Sequence, residues 1–105
     1  MPYKKNRIIK EIKELIEKLE ENKISISYAY MFGSYAKNKA DEWSDIDVAL
    51  ASKDFSGVRF HDNKKIIPYL RDFNNHLEIH PFNLKDFKRS NLFIEEIKRN
   101  GLRIK

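Results

Sequence analysis

The sequence predicts an α/β (α+β) domain, a small mixed sheet flanked by helices, and three observations lead there. A helical apolar period fills the first twenty residues, three later segments alternate apolar and polar residues with period two, and another helical pattern separates the second and third of these.

The elements follow in order. From Lys4 to Asn22, the residues Ile8, Ile9, Ile12, Leu15, Ile16 and Leu19 recur at helical spacing with Lys and Glu on the opposite face, which predicts an amphipathic helix. From Ile24 to Phe32, Ile24, Ile26, Tyr28, Tyr30 and Phe32 alternate with Ser25, Ser27, Ala29 and Met31, which predicts a strand. Gly33-Ser34 breaks that strand, and Tyr35 to Ala40 suits a helical turn before a polar loop reaching Ser44. The stretch Asp45 to Ala51 alternates again, with Ile46, Val48 and Leu50 on one face and Asp45, Asp47 and Ala49 on the other. Phe60 to Phe73 carries a helical pattern interrupted by Pro68, a residue that kinks or shortens helices. Leu77 to Phe82 forms the third strand, with Glu78 and His80 sharing a face. Short helices are expected at Leu84 to Phe87 and Leu92 to Arg99, with Gly101 as a stop before Leu102 to Ile104. All three candidate acids are thus expected on strands.

Composition bounds what such a chain does. At 105 residues it fits one domain, 1–105, since a second core would not fit in that length. The apolar share of 41% supports a modest core, and the 35% charged share supports a well-solvated surface. No apolar run approaches the roughly 20 residues of a spanning helix, and the N-terminus lacks the apolar stretch of a secretory signal, so a cytoplasmic protein is expected. Without cysteine there is no disulfide and no thiolate ligand, so any metal must be held by oxygen or imidazole. The net charge of +5 favours polyanionic partners, but the lysines are dispersed along the chain, which fits a solvated surface better than a nucleic-acid patch.

Asp45 and Asp47 are the first chemical signal. Two residues apart on a strand, they project from one face with Cα atoms about 6.6–6.8 Å apart, close enough to converge on shared ions. Asp is a poor strand former, and two on one face repel unless a cation or solvent compensates. A hard cation such as Mg²⁺ needs only two or three carboxylates, because water and phosphate fill the rest of its shell. The second signal is Gly33-Ser34, where a strand ends and a turn opens. Unpaired backbone N–H groups at such a point attract phosphate, Gly33 permits close approach, and the Ser34 hydroxyl is a donor.

The run Gly33-Ser34-Tyr35-Ala36-Lys37-Asn38, followed after a polar loop by Ser44-Asp45-Ile46-Asp47-Val48-Ala49-Leu50, resembles the signature of the minimal nucleotidyltransferases of the polymerase-β-like superfamily. Their usual pattern is G-S-x-A-R-G, then S-D-I-D-L, and the likeness extends over residues 24 to 82. It implies the polymerase-β-like nucleotidyltransferase core. It also implies catalytic, metal-binding carboxylates at Asp45, Asp47 and Glu78, with nucleotide contacts at Gly33, Ser34, Lys37 and Ser44. Lys37 stands where the family usually has Arg, and keeps the charge without the bidentate fork. Asn38 stands where it usually has Gly, and tolerates a left-handed backbone better than other side chains do. Glu78 replaces the commoner Asp and lengthens that arm.

The resemblance further implies two Mg²⁺ ions, or Mn²⁺ in their place, with ATP as substrate. It implies transfer of AMP to a hydroxyl, and by family analogy an antitoxin that adenylylates a HEPN-type toxin partner. The acceptor, the preferred base and the homo- or hetero-oligomeric state stay open. A non-catalytic antitoxin that neutralises its partner by docking is the alternative. Direct nucleic-acid binding finds no RNP-like or K-homology signature, and the chain is short for a D-x-D glycosyltransferase. His80 shares the Glu78 face, but a lone histidine is more often a polar surface or structural residue, and it falls outside the expected site together with His61, His76, Tyr35 and Trp43.

Overall fold

Burial of a single apolar stripe organises the N-terminal third of the chain. Helix α1, Lys5–Glu21, places Ile8, Ile12, Leu15, Ile16 and Leu19 in the core at spacings of three and four residues. It ends where Lys23 adopts a left-handed backbone (φ 68°), with Ile24 N–H donating to the Leu19 carbonyl and Lys23 N–H to that of Glu20. The computed structural model describes residues 5–33, 36, 45–73 and 76–105. Apart from Ala36, the turn expected at Tyr35 to Ala40 lies outside these, as do Asn38 and Trp43.

Strand β1 runs Tyr28–Phe32, four residues shorter at its start than the alternation suggests. Ile24 and Ile26 are buried as the pattern requires, but nearby backbone donors go elsewhere: Ile24 N–H to the end of α1 and Ser25 N–H to Asp54 Oδ2 at 2.8 Å. Strand β2 is Ile46–Ser52, so Asp45 stands one residue ahead of it. Helix α2, Arg59–Ile66, passes into a 3₁₀ turn at Ile67–Tyr69 that contains Pro68, which lacks the N–H to continue an α-helix to Phe73. Strand β3, Leu77–Asn83, follows. Helix α3, Leu84–Arg89, is capped by the Asn83 side chain, and α4, Leu92–Asn100, by that of Asn91. A two-residue strand β4, Leu102–Arg103, closes the order.

The sheet is mixed, in the order β3-β2-β1-β4. β2 pairs antiparallel with β1 and parallel with β3, the parallel pair being joined through α2 as such a crossover requires. Pro81 sits in β3, at the sheet edge, where a missing N–H is tolerated. Strand alternation sorts the side chains into two apolar clusters. Ala29, Met31, Ile46, Val48, Leu50, Leu77 and Ile79 pack with the α1 stripe, Phe55 and Ile66. On the opposite face Tyr30, Ala49 and Ala51 pack with Phe87 of α3 and with Ile94 and Ile97 of α4. Gly101 lets the chain turn back onto β1, since a Cβ there would strike the Ile97 carbonyl oxygen and crowd that of Met31. Among the described residues, no helix is long and apolar enough to cross a membrane.

Three substitutions test this packing by urea unfolding. Leu15→Ala, which empties a fully buried position, should cost about 2–5 kcal/mol, whereas Glu14→Ala on the exposed face should change stability by under about 0.5 kcal/mol. Gly101→Ala should cost about 1–3 kcal/mol through overpacking.

Candidate active site

Asp47 and Glu78 are brought together by register. They are direct partners across the parallel β2–β3 ladder, and both project from the α3–α4 face, because their neighbours Ile46, Val48, Leu77 and Ile79 are committed to the α1 core. On its other side Asp47 pairs with Phe32, the last residue of β1. The chain then turns at Gly33 in a left-handed conformation (φ 77°), and a Cβ at Gly33 would collide with Asp47 Oδ2. The glycine is thus required twice, by the backbone angle and by the carboxylate lying against it.

His80, two residues beyond Glu78, joins the pair. Its Nε2 lies 3.2 Å from Asp47 Oδ1 and 3.9 Å from Glu78 Oε1. The ring is held edge-on to Phe32, with centroids 5.0 Å apart, and to Phe93 at 6.4 Å. Among the described residues, Asp47, Glu78 and His80 form a group whose ligand atoms all lie within 4.8 Å of one another. Donors bound to one small dication sit roughly 3–4 Å apart, so modest side-chain rotation converts this set into a coordination site. Two oxygen donors and an imidazole fit a divalent cation chemically, in a chain without thiolates.

Positive charge stands nearby. Arg59 Nη2 is 3.7 Å from Glu78 Oε1, and both side chains are about half exposed, so the pair adds little to stability. Arg59 follows a turn fixed by a fully buried acid, Asp62, whose carboxylate accepts from Ser56 N–H (2.7 Å), Ser56 Oγ–H (2.9 Å) and Gly57 N–H (2.9 Å). Three donors make that burial tolerable. Beside the carboxylates opens a cleft of about 220 Å³ lined by Arg59, His80, Phe82, Asn83, Asp86 and Phe93.

The expected site residues therefore divide. Gly33, Asp47 and Glu78 are brought together; Asp45 is exposed ahead of β2 and stands outside the three-residue donor group; Ser34, Lys37 and Ser44 lie outside the described residues. His80 and Arg59 enter the site unforeseen. The shared face of Glu78 and His80 signalled the first, and nothing local signalled the second.

Comparison with known proteins agrees with this layout. The profile of the family described as Polymerase beta, Nucleotidyltransferase matches residues 10–105, and the chain belongs to that family. Its fold is similar to the crystal structure of a candidate nucleotidyltransferase from Sulfolobus solfataricus (TM-score 0.65, 17% identity, covering 92% of this chain and 78% of that one). It is also similar to that of a toxin–antitoxin with AMP-PNP (TM-score 0.57, 19% identity, covering 92% and 72%). A search of curated proteins gives no significant match. Together with the family assignment, these likenesses identify the fold as that of a minimal nucleotidyltransferase.

Gly33→Ala offers a direct check on the geometry. The added methyl must push the Asp47 carboxylate aside, so Mn²⁺ affinity, read by electron paramagnetic resonance titration, should fall about tenfold or more. Unchanged affinity would separate the turn from the ion.

Proposed function

We propose that the chain transfers a nucleotidyl group, AMP from ATP, to a hydroxyl acceptor, using Asp47, Glu78 and Asp45 as metal-binding carboxylates. The observation that carries this reading is the pairing of Asp47 with Glu78 across adjacent strands, with the Gly33 turn packed on the Asp47 carboxylate. Asp47 and Glu78 would hold one of two divalent cations, which when bound would supply charge neutralisation for the phosphates and the departing pyrophosphate.

The order of parts across the sheet suggests where each reactant lies. Gly33 adjoins Asp47 on the β1 side, whereas the cleft with Arg59 and His80 adjoins Glu78 on the β3 side. The triphosphate rests on the Gly33 turn, contacted by Ser34, Lys37 and Ser44, and the acceptor hydroxyl enters from the cleft. Glu78 orients that hydroxyl for in-line attack on the α-phosphorus and accepts its proton, and the bond to pyrophosphate breaks as the new ester bond forms. Asp45, exposed two residues before Asp47, would supply a further carboxylate to the metal. Most of the acceleration comes from positioning and charge neutralisation, because phosphoryl chemistry asks for little covalent help.

For the acceptor, we favour a partner protein, a HEPN-type toxin silenced by adenylylation. This is supported by the shared fold with a toxin–antitoxin crystallised with AMP-PNP. The cleft's surroundings support a protein partner independently: Val58, Phe60, Leu92 and Phe93, all in segments that border it, are about half exposed or more, and such apolar surface is typical of docking sites. The same surface supports a second reading, in which the chain neutralises its partner by docking without transfer.

Incubation with α-labelled ATP, Mg²⁺ or Mn²⁺ and the partner separates the two. Label should pass to the partner with wild-type chain and fall at least about a thousandfold with Asp47→Asn, whose fold should persist because Asp47 lies outside the apolar clusters. Tight association with no label transferred would leave the docking reading alone standing.

A further inference from the structure

Metal chemistry at this site is set as much by its nitrogen as by its oxygens. We infer that His80 Nε2 is a direct metal ligand, and that Asp47, Glu78 and His80 together form a site selective for a divalent transition metal over Mg²⁺. The inference rests on the reading of Asp47 and Glu78 as ligands and goes beyond it in assigning the third donor and the class of ion.

Three observations carry it. First, Nε2 points between both carboxylates, at 3.2 Å from one and 3.9 Å from the other, where a hydrogen bond that merely oriented Asp47 would need only the first. Second, the ring is built into place. Phe32 and Phe93 flank it, Phe32 meets Phe93 at 5.8 Å and Phe82 meets Phe93 at 6.2 Å, so the imidazole sits against an aromatic wall with its side chain only 14% exposed. Third, its partner across the ladder is Ala49, whose methyl group takes up little of the face over which the ring lies. A donor held in this way loses little freedom on coordination.

Ligand chemistry then sets the preference. Mg²⁺ favours an all-oxygen octahedron and gains little from imidazole, whereas first-row transition ions bind it well, in an order rising from Mn²⁺ through Co²⁺ to Cu²⁺. Coordination requires Nε2 without its proton. A neutral ring meets this by carrying its proton on Nδ1, and an imidazolium by releasing one proton to solvent as the metal–nitrogen bond forms.

The test uses the full chain without nucleotide. With Mn²⁺ bound, electron spin-echo envelope modulation should show a directly coordinated ¹⁴N in the wild type, lost in His80→Gln and kept in the exposed control His61→Gln. By calorimetric titration Co²⁺ should bind at least about tenfold more tightly than Mg²⁺. His80→Gln should lower Co²⁺ affinity about tenfold or more while changing Mg²⁺ affinity less than about twofold. No ¹⁴N coupling in the wild type, coupling that survives His80→Gln, or an equal loss of both ions in that variant would overturn the assignment. Because the wild-type spectrum needs no variant, a misfolded His80→Gln chain leaves the test intact. Nucleotidyl transfer enters none of these readouts: intact coupling without transfer rejects the proposed function alone, and Mg²⁺-supported transfer without coupling rejects this inference alone.

Discussion

The parallel register of β2 against β3 is the constraint on which the site depends. It sets Asp47 beside Glu78, in strands about 4.8 Å apart, although like charges at such a distance repel by a few kcal/mol before solvent screening. The register survives because it is secured from the other face. Ile46, Val48 and Leu50 on β2 and Leu77 and Ile79 on β3 all enter the α1 cluster, and a slip of one residue would send Asp47 into that apolar layer. Apolar burial on one side therefore holds the carboxylates in place on the other, with Arg59 offsetting charge at Glu78 and His80 Nε2 within hydrogen-bond distance of Asp47.

The two faces of the sheet are covered unequally, and that inequality makes room for chemistry. The 17 residues of α1 lie over one face, whereas α3 and α4 have 6 and 9 residues and cover the other in part. Phe87 meets Tyr28 and Tyr30 at 5.8 and 5.9 Å, and Phe93 meets Phe32 at 5.8 Å, so aromatic packing extends to the rim of the site and stops there. Polar side chains begin where helical cover ends. A longer α4 stripe would bury Asp47 and Glu78, at a desolvation cost that two adjacent carboxylates do not sustain.

Much of this was legible in the residues, and the failures share a cause. Period and facing located α1, β2 and β3, because a stripe of α1 and an alternate row of each strand enter the α1 core, and the two C-terminal helices also lie where the sequence places them. Ile24 and Ile26 misled because alternation reports burial and not ladder hydrogen bonds; both are buried while neighbouring donors serve Leu19 and Asp54. Pro68 announced a shortened helix but not the 3₁₀ turn that follows. Strand β4 is too short to carry any period, and depends on Gly101 fitting against Met31. Within the site, the facing of Glu78 with His80 was readable, but the approach of His80 to Asp47 depends on inter-strand register. Asp62 reads as a solvated helix residue, yet it is buried by three donors from a turn that no periodicity describes.

The motif residues and the neighbours that the fold brings to them therefore carry different information. Gly33, Asp47 and Glu78 are the positions the proposed transfer relies on, and the fold that carries them is similar to solved structures at 17–19% identity. His80 and Arg59 lie outside the G-S and D-I-D runs, and each touches a carboxylate of the frame directly. Arg59 is half exposed, lines the cleft and follows a turn held by Asp62, so a group in the cleft meets its positive charge beside Glu78. His80 is less exposed, at 14%, and its Nε2 faces both acids while the residue also lines the cleft. On the proposed reading Arg59 bears on the acceptor and His80 on the ion, and substitution at either position leaves intact the register that positions the carboxylates.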